Sequence, residues 1–294
     1  MRYLRIAVTA LFVITLAGFI YFETNIVGKI DHTSPVLSVS SDTLETTIDV
    51  TEEEILAGVT AEDDVDGDVS DSILIESYSK FSAPGKRTVN YAAFDNSGNV
   101  GRISRTLIYT DYTSPKIYLT QPLRFNTEAS DINVLEGVEA EDCLDGDITG
   151  NLKYAIEEGA AWYYEGTYII AYQVTNSGGD TTKYELTMET LSEEEYEKPY
   201  PALSEYLVYT QTGKKIDPED YLVGVMRGSM LYEFDDEDQT YYEMEDVTIN
   251  SKDVNYNTPG VYMITYTLHT TEMEDDEEVT ETQGNVKLFV VVEE

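Results

Sequence analysis

Cysteine is almost missing from this chain. Among 294 residues there is one, Cys143. No internal disulfide framework can form, so each folded module must carry its own core. Histidine is limited to His32 and His269, far apart in sequence, which leaves no set for a histidine-based metal cluster or a Ser-His-Asp triad. No P-loop, dinucleotide fingerprint or nucleophile elbow occurs. Paired carboxylates abound, as in glycosidases, but small repeats without an evident cleft do not suit that chemistry. The chain reads as non-catalytic. Positive charge is scarce as well: 18 Lys and Arg stand against 57 Asp and Glu, for a net charge of −39. Such a chain repels nucleic acid, which is excluded as a partner, and attracts cations, divalent ones most.

What is present points to a folded, strand-rich protein. The hydrophobic fraction is 41%, which suits globular domains rather than disorder. The 24 tyrosines suit half-buried strand positions, where a ring with a polar tip fits well. The one long apolar run lies at the N-terminus. After Arg2 and Arg5, Ile6 to Phe22 carries no charge; at about 1.5 Å per residue it reaches roughly 25 Å, enough to cross a bilayer core. Tyr21 and Phe22 put aromatics at the far interface and Glu23 follows. Positive flank first and acidic flank second places the N-terminus in the cytoplasm and everything after it outside. The expectation is a single-pass anchor over 1–24 in the cell membrane, a signal anchor whose repeats are extracellular. A cleaved signal peptide is the competing reading, with Thr15 and Ala17 as a weak cleavage pattern.

Behind the anchor a unit of about eighty residues recurs. The first copy reads TSPVLSV (33–39), ILAGVTAEDDVDGDV (55–69) and PGKRTVNYAAFDNSGN (84–99). The second reads TSPKIYL (113–119), VLEGVEAEDCLDGDI (134–148) and EGTYIIAYQVTNSGG (165–179). Pro35 and Pro115 are 80 residues apart, Gly58 and Gly137 are 79, and Gly85 and Gly166 are 81. A third, divergent copy keeps YLVGV (221–225) and PGVYMITYTLHT (259–270) and carries acidic inserts at 234–239 and 272–278. The expected domains are 25–112, 113–191 and 201–294, with the charged, proline-containing 192–200 as a linker.

After each repeat glycine, one face of a strand is written at alternate positions. These are Arg87, Val89, Tyr91 and Ala93; Tyr168, Ile170, Tyr172 and Val174; and Tyr262, Ile264, Tyr266 and Leu268. NSGN (96–99) and NSGG (176–179) are hairpin turn sequences. No helical period appears beyond the N-terminus. The fold class is all-β: a transmembrane helix followed by three tandem immunoglobulin-like β-sandwiches.

The order Asp-x-x-x-Pro, Glu-Asp-x-x-Asp-Gly-Asp, Gly-x-Tyr-x-x-x-Tyr (its first aromatic position polar, Arg87, in the first repeat) and Asp/Asn-x-Ser-Gly resembles a bacterial Ig-like repeat family of exported cell-surface proteins. One of its namesakes is the Ig-like domain of a pesticidal crystal protein. Residues 31–35, 62–68, 85–91 and 95–98 carry the match in the first repeat; 111–115, 141–147, 166–172 and 176–178 carry it in the second. Coverage is good over 31–190 and weak beyond 200. The Gly-x-Tyr pair is similar to the tyrosine corner of immunoglobulin sandwiches. The resemblance implies fold and surface location, an adhesive or spacer role, and no catalytic activity.

The acidic loops admit two readings. Asp63, Asp66 and Asp68, and in the second repeat Asp142, Asp145 and Asp147, crowd carboxylates around a glycine turn, which is what Ca²⁺ asks for. In a sandwich, Asp95 in the next hairpin and the linker residue Asp31 or Asp111 enter at the same pole. The expectation is one calcium site in each of the first two repeats and none in the third. Alternatively these aspartates only cap turns through nearby backbone N–H groups.

Two roles follow for the whole chain. One is an adhesive or spacer module on the cell surface, its ligand an unknown protein or a cell-surface glycan. The other is the extracellular subunit of an envelope machine or sensor that grips a partner protein through the third repeat, where Tyr232, Tyr241 and Tyr242 interleave with acids.

Overall fold

The apolar N-terminal run forms one helix, α1 (Arg2–Asn25), with mean hydropathy 2.0 over its most apolar window and no part of that window buried by the rest of the protein. Its threonine hydroxyls are satisfied within the helix, as an apolar surround demands. Thr9 donates to the Arg5 carbonyl at 2.8 Å and Thr15 to that of Leu11 at 3.0 Å. The helix is long and apolar enough to cross a membrane, and a signal sequence has the same properties. The computed structural model describes residues 2–25, 31–129, 132–157, 162–236, 241–274 and 277–294, and side chains at all of these except 25 and 271–280.

Chain contacts divide the protein into two compact units, Met1–Tyr112 and Thr113–Glu294. The first holds β1 (Val36–Val39), β2 (Thr43–Thr46), the short helix α2 (Glu52–Leu56), β3 (Val59–Asp63), β4 (Gly67–Asp68), β5 (Leu74–Tyr78), β6 (Lys86–Phe94) and β7 (Val100–Tyr109). They make a three-stranded sheet, β1-β3-β4, and a four-stranded sheet, β2-β7-β6-β5. The β2–β7 pair is parallel; the other pairs are antiparallel.

The second unit repeats this plan twice. Its first half contains β8 (Lys116–Leu119), β9 (Arg124–Asn126), β10 (Val138–Asp142), β11 (Gly146–Asp147), β12 (Lys153–Ile156), β13 (Gly166–Thr175) and β14 (Thr181–Leu191). After α3 (Glu193–Glu197) come β15 (Tyr200–Leu203), β16 (Leu207–Gln211), β17 (Leu222–Arg227), β18 (Met230–Glu233), β19 (Val247–Asn250), β20 (Gly260–Glu274) and β21 (Glu277–Glu293). The sheets are β8-β10-β11 with β9-β14-β13-β12, and β15-β17-β18 with β16-β21-β20-β19. In each set the parallel pair recurs, β9 with β14 and β16 with β21. The third repeat, worn in sequence, thus keeps the complete pairing scheme of the other two. All three are immunoglobulin-like sandwiches.

One device fixes each sandwich. Tyr91, Tyr172 and Tyr266 are fully buried. Their hydroxyls donate to the carbonyls of Ile55, Val134 and Pro218 at 2.8, 2.6 and 2.7 Å. Each bond ties the central strand of the four-stranded sheet to the crossover that precedes the repeat glycine. The inner strand face falls as the alternation requires: Val89, Ala93, Ile170, Val174, Ile264 and Leu268 are all buried. The Gly-x-Tyr pairs form the corner, with Tyr168 donating to the Tyr164 carbonyl at 3.2 Å and Tyr262 to that of Thr258 at 3.0 Å. In the first repeat Arg87 takes that position and lies over the Tyr78 ring, 4.0 Å from its centroid.

Two local expectations differ from the structure. A short helix, α2, follows β2 where no helical period shows; it is held by a capping box in which Thr51 and Glu54 satisfy each other's backbone N–H groups. The stretch 192–200 is more than a linker. Ser192 caps α3, and Tyr196 and Tyr200 pack around the buried guanidinium of Arg124, 4.2 Å from the Tyr200 ring centroid. Burial lowers the Arg124 pKa, and the polar rings and Glu189 oppose that shift.

The second and third sandwiches share one hydrophobic core cluster. The Tyr209 hydroxyl meets both the N–H and the carbonyl of Ile117 at 2.8 Å. Lys287 pairs with Glu189 at 2.8 Å, with side chains only 12% and 15% exposed. Of the acidic inserts, 237–240 and the side chains of 271–280 lie outside the described residues.

Candidate acidic site at one pole of the first repeat

The pole is built from three backbone pieces. Residues 31–35 lead into β1, the tight β3–β4 hairpin carries Asp63 and Asp66, and the β6–β7 hairpin carries Asp95. Gly67 and Gly98 adopt φ of 75° and 86°, the left-handed conformations that let both hairpins turn so tightly. The lead-in strand is seated closely, since a Cβ on Gly101 would fall 1.9 Å from the Pro35 carbonyl oxygen.

Asp31, Asp63, Asp66 and Asp95 each bring a carboxylate oxygen to within 4.8 Å of the others. Each is held by donors that fix its direction. The Asp63 Oδ1 accepts from the N–H groups of Val65 and Asp66 at 3.0 and 2.9 Å. The Asp66 oxygens accept from the Asn96 N–H at 2.9 Å and its Nδ2 at 2.7 Å. Asp95 accepts from the N–H groups of Ser97 and Asn99 at 2.9 and 2.7 Å, and from Asn99 Nδ2 at 2.6 Å. Thr33 donates to Asp31 from N–H and hydroxyl at 2.9 and 2.6 Å, and its hydroxyl also contacts Asp64. Burial pushes the Asp95 carboxyl up, but the bonds from Asn99, Ser97 and Gly98 outweigh it and hold the group below the usual carboxylate range.

Two oxygens are left over. Asp31 Oδ2 and Asp63 Oδ2 are buried and accept no hydrogen bond, and the Asp63 side chain is only 8% exposed. Buried acceptors without a donor are rare because each forfeits its hydration. Carboxylate oxygens within 4.8 Å of one another repel by at least about 3 kcal/mol per pair at an effective dielectric of about 20. A cation meets both demands. Ca²⁺ takes oxygen ligands at about 2.3–2.6 Å, so four carboxylate oxygens that all lie within 4.8 Å of one another can face one ion.

The sequence singled out more residues than the site uses. Asp68 stands apart and accepts from the Ser70 N–H at 3.0 Å; the side-chain and backbone bonds from Ser70 lower its pKa. Asp147 does the same with Thr149 at 2.9 Å. These two are turn formers. In the second repeat the pole is closed by hydrogen bonds. Asn176 stands where the first repeat has Asp95, and its Nδ2 donates to Asp142 Oδ2 at 3.0 Å. Asp142 Oδ1 accepts from Leu144 and Asp145 N–H groups at 2.9 and 3.1 Å. Asp145 accepts from the N–H and hydroxyl of Ser177 at 2.5 and 2.6 Å. Asp111, the counterpart of Asp31, accepts from the Ile48 N–H at 2.8 Å. Among the described residues, Asp31, Asp63, Asp66 and Asp95 are the one such acidic group. The exposed Cys143 exchanges hydrogen bonds with the Thr113 backbone.

No protein-family model and no curated protein matches the chain. Several solved structures are similar to it. One holds carbohydrate-binding module CBM51-2 in complex with GlcNAc, with INT domains, from Clostridium perfringens ZmpB; identity is 15%, coverage 53% of this chain and 41% of that one, and the TM-score 0.22. Another is the protocadherin GammaB4 extracellular domain, at 12% identity, 88% and 49% coverage and TM-score 0.20. A third is Drosophila N-cadherin EC1-4, at 11% identity, 76% and 66% coverage and TM-score 0.21. The chain spans less than two thirds of each of these. The fold assignment rests on the strand pairing.

Proposed function

We propose that this is a non-catalytic, membrane-anchored surface protein of the bacterial Ig-like repeat type, whose sandwiches over 25–112, 113–191 and 201–294 act outside the cell as an adhesive or spacer module. The observation that carries the reading is one sandwich scheme made three times behind an apolar helix of membrane-span length. Arg2 and Arg5, at the N-terminal end of α1 ahead of its apolar run, support an outward orientation of the repeats. Calcium is the cation proposed for Asp31, Asp63, Asp66 and Asp95, on the strength of the four converging carboxylates and the two unsatisfied buried oxygens.

Expression of the full chain in a bacterium tests the placement. The protein should sediment with membranes at its full mass, and protease added to intact cells should degrade the repeats. Soluble protein shortened by the helix would replace the anchor with a cleaved signal; protease resistance in intact cells would refute surface display.

A second reading, partner binding through the third repeat, draws on Met230, Leu231 and Tyr241, which are 61%, 41% and 73% exposed, with Tyr241 against Tyr232 at 5.7 Å between ring centroids. Deleting 201–294 would bare the shared core, so the discriminating change is Met230→Ser with Tyr241→Ser in the intact chain. Loss of surface function with unchanged folding would favour this reading over the spacer.

A further inference from the structure

We infer that the calcium site among the described residues belongs to the first repeat and has no counterpart in the second, and that its ion clamps the membrane-proximal segment 31–35 onto the sandwich. The inference rests on the calcium reading above and adds location and consequence to it.

The ligand set is divided unequally along the chain. Asp63, Asp66 and Asp95 belong to two hairpins whose strands are paired throughout. Asp31 belongs to the segment between the end of α1 at Asn25 and the start of β1 at Val36. Among the described residues, Thr33 bonds its Oδ1 and Asn99 Nδ2 donates to its carbonyl at 3.2 Å. Its Oδ2 remains buried and unpartnered, as does Oδ2 of the 8%-exposed Asp63. An ion that takes both oxygens joins the segment leading from the helix to the body of the domain. Without one, a fourth negative charge is held against three others by a few hydrogen bonds, so removal of the ion loosens residues 31–35 first.

The second repeat shows what the site becomes without this demand. At the two hairpin positions the residue types are exchanged: Asp95 and Asn99 in the first repeat are Asn176 and Asp180 in the second. The amide of Asn176 then donates to Asp142 Oδ2, the oxygen equivalent to the unpartnered one of Asp63. An internal donor does there what the cation does in the first repeat. The Asp180 carboxylate turns to the Ser114 hydroxyl at 2.7 Å instead. Ca²⁺ accepts an irregular set of oxygens, whereas Mg²⁺ demands near-ideal octahedral geometry at about 2.0–2.1 Å and dehydrates reluctantly, so carboxylates held by hairpin hydrogen bonds suit calcium better.

The test uses the full chain in phosphatidylcholine nanodiscs, with empty discs subtracted, in about 0.15 M salt to screen diffuse binding to the acidic surface. Equilibrium dialysis against calcium, with excess magnesium present, should show binding to the wild type. Hydrogen exchange should show calcium-dependent protection of the backbone at 33–36 and 100–101. Asp31→Asn should weaken binding by at least about tenfold and abolish that protection, while Asp145→Asn leaves both at wild-type values. Equal melting temperatures of wild type and both variants in chelator would establish that they fold. Wild-type affinity in Asp31→Asn, or a loss of binding in Asp145→Asn, would overturn the clamp and leave the calcium reading standing. No binding to the wild type would overturn both.

Discussion

Replacing Tyr172 with Phe isolates the device on which each sandwich depends. The ring stays and the core keeps its volume; only the hydroxyl leaves. That hydroxyl is fully buried and donates to the Val134 carbonyl at 2.6 Å, so the substitution leaves a buried acceptor unpaired. Such a group costs about 1–3 kcal/mol. Taking about 2 kcal/mol, and about 2–4 °C per kcal/mol for a unit of this size, the melting temperature of the unit 113–294 should fall by roughly 4–8 °C. Circular dichroism or calorimetry reads the change directly. Tyr154→Phe is the control: that side chain is 50% exposed, and its loss should stay within about 0.5 kcal/mol. Equal melting temperatures for the two variants would refute the claim that the Tyr-to-crossover bond holds the sandwich. Tyr91→Phe should behave differently, because the Tyr91 hydroxyl also accepts from the buried Arg105 Nε at 2.7 Å and its removal strands a charged donor.

Two further outcomes concern the second unit. Glu189→Ala removes the partner of Lys287 and a carboxylate whose charge favours the Arg124 cation. Breaking a largely buried pair from one side costs about 3–5 kcal/mol; calorimetry should show the second and third sandwiches melting earlier, and still together, whereas a separate early transition of the third would contradict a shared core. Alkali should also unfold this unit. Burial pushes Tyr172, Tyr209 and Tyr266 well above the ordinary tyrosine range and Tyr206 up to about 12. A raised folded pKa contributes stability that is complete below about pH 10 and disappears as pH rises through the folded value. The tyrosinate absorbance of these residues should therefore appear in one step with loss of strand signal, and a gradual appearance without unfolding would count against their burial.

Most of the fold was legible because it is written in spacing. Alternation from Val89 to Ala93 and from Ile170 to Val174 named the buried face, and the eighty-residue period named the module. The third repeat was legible only through Gly260–Tyr266 and the segment around Gly224, yet it keeps the full pairing scheme. Strand pairing needs one apolar face and a hairpin, and tolerates the loop changes that erased its motifs. The packing of 192–200 was hidden because its charges are conspicuous and its anchors, Tyr196 and Tyr200, act on an arginine seventy residues away. Of the site, the sequence named Asp63, Asp66 and Asp95, and sandwich topology brought in Asp31. It named Asp68 and Asp147 too, since Asp-Gly-Asp reads the same whether its second aspartate faces a neighbouring carboxylate or the next serine or threonine N–H. Nor does a motif reveal that one amide, on Asn176, closes the second pole. The Asp-to-Asn difference between positions 95 and 176 was the available signal.

The most direct measurement is calorimetry of the full chain in calcium and then in chelator. Extracellular calcium modules bind at about 10⁻⁴ to 10⁻³ M, and tenfold excess over Kd adds about 1.4 kcal/mol. For a domain the size of the first repeat that is roughly 5–10 °C. The account predicts that calcium raises the transition of the first unit by this amount and leaves that of 113–294 in place. A first transition indifferent to calcium, or an equal rise in both, would contradict it.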